Sequence, residues 1–581
     1  MFRSPNTLPH SPTAALRGLP YGALFVLFFL GFGIFLPTGA YEFVSWDDAA
    51  LVVNNKFVHG LSLKNLGHIF TTPVLANYLP LQLLSYQIDY EFFGLDPRAF
   101  HLFSAAIHGL NTVLLGLVLR RLGASYPIAI AASILFAVHP AHVESVAWIS
   151  GRKDLLALAF TLLCVLAYER FLSSPRTSTY LLACVSFLAA VLSKVTVILL
   201  PVFLIALGLS RTRGTRHDIQ KALVRMVPFA AVGIPVIIVN RLTQVTAQAS
   251  YAHDPIEYIS VKAHAFFHYA MLLIGTGSLQ PVYDTPAPGW NTAGLVAAAG
   301  LVLAAGLVYV TVRWASTPVR LCLLWILIML LPALLFPLVT YRADRYLYAP
   351  SAGFCLLAVM GLAKLAASAV VPPQRKRMVL WLGVAALAAL FAARTCLYLP
   401  VWRDSSSLWN FAIETSHSSQ ARHGLAMVRL DQGRYAEAET ILLSGREIPN
   451  VALYRQLAAV YLAQGRSDDA LEALSKSAQL HRRDQGFTAP ANWAPGARSY
   501  LTYLHLNRGA IQRDLGRNVQ AIEYFERALA LNPKNRRARN WLKRAQRDLA
   551  SDSASPAERL PFSQPSRASV PAAAQVHDRT G

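Results

Sequence analysis

Tyr180 through Leu209 reads YLLACVSFLAAVLSKVTVILLPVFLIALGL. A single charged side chain, Lys194, interrupts 30 residues. Each half is about as long and apolar as a bilayer crossing requires, and almost no loop separates them. A soluble core offers no place for two such runs in tandem. The stretch therefore reads as two membrane helices joined by a tight turn.

Working outward, further apolar runs lie near 21–37, 100–119, 125–139, 155–172, 225–240, 293–312, 320–338, 350–370 and 378–397. With 179–193 and 195–210 this predicts about eleven crossings. The first run follows Arg3 and Arg17 but ends in a poor cleavage site, so it is read as a retained helix. The run 258–279 contains Lys262, His264 and His268. It is read as interfacial or re-entrant. With that assignment the basic clusters Arg120-Arg121, Arg211 to Arg225 and Arg375-Lys376-Arg377 all fall on the cytoplasmic side. The chain then leaves the membrane near residue 398 on the opposite face.

Composition agrees. The 581 residues are 54% hydrophobic and only 14% charged, where soluble domains carry about 25% charge. The net charge of +22 admits a nucleic-acid binder on composition alone. Its distribution removes the need for one. Much of the excess before residue 394 lies in cytoplasmic loops, and the rest belongs to a basic C-terminal part. Cys164, Cys184, Cys322, Cys355 and Cys396 show no CxxC spacing and are read as buried thiols.

Residues 421–545 differ in kind. Gly433, Tyr435 and Ala438 recur as Gly465, Ser467 and Ala470, then as Gly516, Asn518 and Ala521. The last copy continues with Phe525, Ala528 and Pro533, and an insert around 482–499 lengthens the step before it. Small residues where two helices touch, large ones filling the gap and a closing proline make a tetratricopeptide pattern. The expected layout is a segment 1–20, a transmembrane domain 21–398, repeats over 399–550 and a disordered Ser/Pro/Ala tail 551–581. The basic run Lys534 to Arg547 is a solvated capping helix or a contact for anionic lipid.

Four polar groups fall on the non-cytoplasmic face. Asp47 and Asp48 follow the first helix; adjacent carboxylates repel, which suits a general base or a metal ligand, and a solvated turn is the alternative. His139, His142 and Glu144 open the second outer loop, and Arg152 and Asp154 close it. That spacing permits a divalent cation; otherwise it builds a hydrogen-bonded network around a polar cavity. Lys194 snorkels or holds an anion. Arg342 and Arg345 fork onto a phosphate or pair internally with Asp344. Carboxylates beside cations on one membrane face suit transfer from a lipid-linked phosphate, with a base for the acceptor hydroxyl and cations for the departing phosphate.

Several stretches carry a resemblance. They are Trp46-Asp47-Asp48 with Asn54-Asn55, Tyr78-Leu79-Pro80-Leu81, Phe93-Gly94-Leu95-Asp96-Pro97, His108-Gly109-Leu110-Asn111, His139 to Ala147, Gly151-Arg152-Lys153-Asp154, Ser193-Lys194 and Arg345 to Ser351. In order and topology the chain resembles the GT-C superfamily of polytopic glycosyltransferases. More narrowly it resembles the transmembrane-and-tetratricopeptide O-mannosyltransferases and their bacterial relatives. The resemblance implies an all-α, GT-C-like bundle followed by an α-solenoid. It also implies inverting transfer of a mannose-like sugar from a polyprenyl-phosphate donor to a protein hydroxyl or glycan.

Carried over by motif, Asp47 or Asp48 is the base, and Lys194, Arg342 and Arg345 hold the phosphate. His139, His142, Glu144, Arg152 and Asp154 shape the substrate cavity. The family often has arginine where this chain has Leu79. The implied partners are the lipid-linked sugar, an acceptor held by the repeats and membrane lipid, with no nucleic acid, no certain cofactor and no assigned metal residue. The implied location is a bacterial inner membrane with periplasmic repeats, or the endoplasmic reticulum membrane in a eukaryote. The rival readings are an inactive membrane-anchored repeat scaffold and, behind it, a transporter, which usually places its polar groups mid-span.

Overall fold

A computed structural model describes residues 19–75, 77–243, 255–284, 292–313, 315–336, 340–444, 451–485 and 495–554. Most of the segment 1–20, the middle of the 482–499 insert and most of the tail 551–581 therefore lie outside the described residues. Helix dominates what is described. An isolated bridge between Val74 and Asn77 is the sole β pairing among the described residues. The chain divides into two compact units, Met1–Ser416 and His417–Gly581.

In the first unit five helices are long and apolar enough to cross a bilayer: Pro97–Arg121, Ile149–Ser173, Thr317–Leu335, Pro350–Ser368 and Pro373–Trp402. Two more qualify as bent pairs. Tyr126–Ala137 with Pro140–Ala147 turns by 54°, and Arg216–Val224 with Val227–Thr243 by 47°. The first bend falls at Pro140, which lacks an amide N–H to continue the ladder. Shorter apolar helices occupy the remaining expected positions, among them Tyr21–Ile34 and Thr177–Ser193. The 14 residues of Tyr21–Ile34 span about 21 Å, short of a hydrocarbon core of about 30 Å. Length and apolarity alone thus give five to seven crossings.

The helix Pro255–Leu273 is not among the spanning candidates. Its Lys262 Nζ donates to Ala333 O at 3.0 Å and Phe336 O at 2.8 Å. These carbonyls lie at the end of helix Thr317–Leu335, where a cation meets both the unpaired acceptors and the negative end of the helix dipole. All five cysteines are free thiols, Cys396 exposed and the others buried.

One fully buried cation organises one end of this unit. Arg152, at the start of helix Arg152–Ser173, pairs with Asp89 at 2.5 Å. It also donates to Phe100 O at 2.7 Å, Ser104 Oγ at 3.1 Å and Ser85 Oγ at 3.3 Å. Its guanidinium lies over the Tyr86 ring, 4.8 Å from the centroid. A charge this deep is tolerated only when its donors are met. Arg152 therefore clamps helices Pro80–Phe93, Pro97–Arg121 and Arg152–Ser173 together.

The second unit is a stack of helix hairpins: Ser419–Asp431 with Tyr435–Leu443, Val451–Ala463 with Ser467–Gln485, and Pro495–Asp514 with Asn518–Leu531. Gly433, Gly465 and Gly516 sit between the paired helices with φ of 74°, 78° and 71°. Glycine reaches this left-handed geometry without steric cost, so the repeated glycines are helix stops. Ala438, Ala470 and Ala521 are fully buried, as the tetratricopeptide pattern requires of its small contact positions. Helix Arg536–Ala554 packs Ala538 and Ala545 into the last core cluster, while Lys543, Arg544 and Arg547 are exposed.

Candidate functional site

The segment His139 to Asp154 folds as a compact double turn. His139 is fixed at both ring nitrogens: Nδ1 accepts from the Ala141 amide at 3.2 Å, and Nε2 lies 3.0 Å from Leu273 O. His142 Nε2 meets Ser351 Oγ at 2.7 Å. Both imidazoles are fully buried. Among the described residues no three His, Cys, Asp or Glu side chains converge as a metal-binding set. The two histidines brace the turn. Gly151 closes it: a Cβ there would lie 2.7 Å from Ser145 O and 2.8 Å from Glu144 O, so no larger residue fits.

Two ion pairs rise from this turn. Glu144, fully buried, accepts from the Arg345 amide at 2.8 Å and also pairs with the Arg345 guanidinium. Asp154 pairs with Lys194. Burial pulls the Arg345 pKa down, but the charges of Glu144, Tyr346 and Asp154 more than offset it, so the guanidinium stays charged. Tyr346 sits under both cations, with ring centroids 5.1 Å from Lys194 Nζ and 5.2 Å from Arg345 Cζ. Asp154, Lys194, Arg345, Tyr346, Val197 and Met329 help line a small cleft of about 20 Å³.

Arg342 and Arg345 do not act as a fork. Arg342 is buried over the Tyr283 ring, 3.8 Å from its centroid, and does not line the cleft. Asp344, between them, accepts from Tyr283 Oη. Burial, reinforced by the Glu144 charge, holds its carboxyl well above the usual carboxylate range.

The adjacent carboxylates part company. Asp48 is 1% exposed. Its Oδ1 accepts from Ser150 N at 3.0 Å and Ser150 Oγ at 2.5 Å, and its Oδ2 from Val44 N at 3.1 Å. Burial pushes its pKa up to about 6, against the pull of these hydrogen bonds. Asp48 thus staples the loop after the first apolar helix to the turn at Ser150. Asp47 is only half-buried, and its carboxylate takes no hydrogen bond or ion pair among the described residues. It is the free acid of the pair.

Four tryptophans hold that loop in place. Trp46 stacks on Trp148 at 4.9 Å and lies 5.2 Å from Trp409 and 6.3 Å from Trp402. Trp402 and Trp409 lie beyond residue 398, so the segment through Ser416 packs as part of the first unit.

Of the residues singled out from sequence, Asp154, Lys194 and Arg345 line the cleft, and Glu144, fully buried, pairs with Arg345. Asp48, His139, His142 and Arg152 brace the surrounding turns, and Arg342 lies apart. Sequence reasoning passed over Asp89, the partner of Arg152, and the tryptophan cluster.

These features define a polytopic helical membrane protein with a polar site at one end of its bundle and a repeat unit after it. Residues 80–239 match the family described as dolichyl-phosphate-mannose-protein mannosyltransferase, and residues 502–535 match the tetratricopeptide repeat. The chain is 34% identical over 199 residues to the protein O-mannosyl-transferase Tmtc1 of Drosophila melanogaster, covering 33% of this chain and 22% of that protein. It is 32% identical over 133 residues to the human protein O-mannosyl-transferase TMTC3, covering 22% and 14%. With the protein O-mannosyl-transferase F38B6.6 of Caenorhabditis elegans it shares 25% identity over 343 residues, 55% of this chain and 48% of that one. The matched regions thus span less than half of these relatives. Residues 80–239 are thus similar to a mannosyltransferase family and residues 502–535 to a tetratricopeptide repeat, and the relatives matched are protein O-mannosyl-transferases.

Proposed function

We propose that this protein is a membrane glycosyltransferase that moves a mannose-like sugar from a polyprenyl-phosphate donor to a hydroxyl of a polypeptide or glycan. The observation that carries this reading is Asp47. It is a half-buried carboxylate with no hydrogen bond or ion pair among the described residues, next to Asp48, which bonds Ser150 in the turn that carries Glu144 and Asp154; Asp154, Lys194 and Arg345 line the cleft. Asp47 takes the proton of the acceptor hydroxyl. Lys194 and Arg345 lie along the donor phosphate, and Glu144 and Asp154 hold them in place. Such positioning makes the cations part of a preorganised site rather than mobile surface charges. Direct attack by the acceptor oxygen at the anomeric carbon inverts its configuration.

In this reading the site and the repeat unit share the non-cytoplasmic face, with the chain crossing eleven times. The repeats offer a groove for an extended acceptor. The test is a transfer assay on purified protein with a radiolabelled polyprenyl-phosphate sugar and a peptide acceptor, with and without chelator. Transfer by wild type and its loss in Asp47→Asn support the reading. Equal transfer by both proteins rejects Asp47 as base. An inert wild type that still captures partners through its repeats favours a scaffold.

A further inference from the structure

Helix Arg536–Ala554 has two unlike faces. Ala538 and Ala545 are fully buried, and Trp541 and Leu542 pack beside them into the core of the last hairpin. Successive residues of a helix are turned by about 100°. On that spacing Arg536, Arg537, Arg539, Lys543, Arg544 and Arg547 fall within an arc of about 160° opposite the packed side, and all six are exposed. No acidic residue lies between Arg536 and Arg547.

None of the six forms an ion pair among the described residues. Arg539 donates to Pro533 O at 2.9 Å, and Arg537 lies over the Trp541 ring, 4.3 Å from its centroid. Exposed cations on the preceding helices do find carboxylates. Arg434 pairs with Glu437 at 2.6 Å, Lys476 with Glu472 at 2.6 Å and Arg517 with Asp468 at 2.7 Å. The unpaired arrangement works against the helix that carries it. Arg539, Lys543 and Arg547 follow one another four residues apart, where like charges repel. Arg536 and Arg537 stand in the first turn, at the positive end of the helix dipole, with no acid beside them. A cap that only has to be wetted needs polar residues of either sign. A single-sign face matches an extended anionic surface.

We propose that this face docks on the anionic headgroups of a phospholipid bilayer. The proposal does not rest on the transferase reading. A bilayer is the polyanion closest at hand. Residues 403–418 join the repeat unit to helix Pro373–Trp402, which is long and apolar enough to cross one, so the encounter is intramolecular. Each cation near such a surface strengthens the contact about 5-fold. The apolar face of the helix is already occupied by the repeat core, so the docking is electrostatic and involves no insertion among the acyl chains.

The test uses the full-length protein in nanodiscs of phosphatidylcholine, with and without phosphatidylglycerol. Cys396→Ala removes the exposed thiol. Asn540→Cys, between the cations, carries a fluorescent donor, and the acceptor is on the lipid headgroups. Energy transfer is expected to be high only with phosphatidylglycerol, and to fall in about 1 M salt, where the screening length is about 3 Å. Combining Arg539→Gln, Lys543→Gln and Arg547→Gln is expected to lower the docked-to-free ratio about 100-fold. Combining Arg434→Gln, Lys476→Gln and Arg517→Gln removes the same charge from the preceding helices and is expected to leave the ratio unchanged. Glutamine keeps the helix propensity of lysine and arginine, so thermal unfolding of the first triple variant should match wild type. Equal transfer in the two lipid compositions, no loss in the first triple variant, or equal loss in both overturns the proposal. Tight, salt-sensitive binding of a polyglutamate peptide or a DNA oligonucleotide, with transfer staying at the phosphatidylcholine level, also overturns it and gives the face to that polyanion.

Discussion

The Trp409 indole N–H donates to Ser45 Oγ at 3.1 Å, tying the first helix beyond the long apolar helix Pro373–Trp402 to the loop that carries Asp47. Two further links reinforce it, from Ser45 N to Ser405 Oγ at 2.7 Å and from Glu42 N to Arg403 O at 2.9 Å. Trp409→Phe keeps the ring and removes the N–H. A neutral hydrogen bond contributes about 1 kcal/mol, so the thermal midpoint should move little. Turnover should fall several-fold with an unchanged donor KM, since Asp47 loses its register. Equal loss of stability and turnover would assign the bond to folding alone.

Asp47→Asn and Asp48→Asn should fail differently. Asp47→Asn is expected to lower transfer by about 100-fold or more with wild-type yield and melting. Asp48→Asn puts an amide where two oxygens accept three hydrogen bonds, and should lower stability. Linkage gives it a second signature. The folded pKa of about 6 exceeds the ordinary carboxylate value of 3.8, so the native state holds the extra proton between them. Its contribution to stability therefore falls as pH rises from about 4 to about 6, by roughly 3 kcal/mol in all. Melting curves across that window should show the slope in wild type and a weaker one in Asp48→Asn.

Breaking the Arg152 clamp should be among the most damaging single changes in the first unit. Asp89→Asn leaves a buried guanidinium without its counter-charge, at a cost of about 3–5 kcal/mol. The double change Asp89→Asn with Arg152→Met removes both charges and should recover part of that loss. Detergent-solubilised yield and thermal unfolding of the three proteins measure it.

In the repeat unit, a Cβ at Gly509 would lie 2.5 Å from Phe525 Cε1. Gly509→Ala is expected to destabilise that hairpin by about 1–3 kcal/mol. Adding Phe525→Leu should return part of the loss by making room. Denaturant unfolding followed by circular dichroism would detect both, and no recovery in the double variant would refute the packing account.

The repeats were legible because they are periodic. Gly433, Gly465 and Gly516 announce the same turn three times, and each copy reads without its neighbours. The apolar helices were legible because hydrocarbon demands a run of one composition. The site was legible only as a set of loops. Asp47 and Asp48 look equivalent in the chain, yet one is buried on Ser150 and the other is not, and Ser150 is far away in sequence. Arg342 and Arg345 look like a fork, yet Tyr283 draws one away and Glu144 holds the other. The segment after residue 398 was assigned to the repeats because the apolar run ends there, whereas Trp402 and Trp409 pack back onto the loop of Asp47.

The Arg152–Asp89 pair also constrains how the protein is made. Asp89 leaves the ribosome before Arg152, and an arginine released into lipid alone is expensive. The helix that begins at Arg152 therefore keeps its charge compensated only with Pro80–Phe93 and Pro97–Arg121 packed against it, since these supply Asp89, Ser85, Ser104 and Phe100 O.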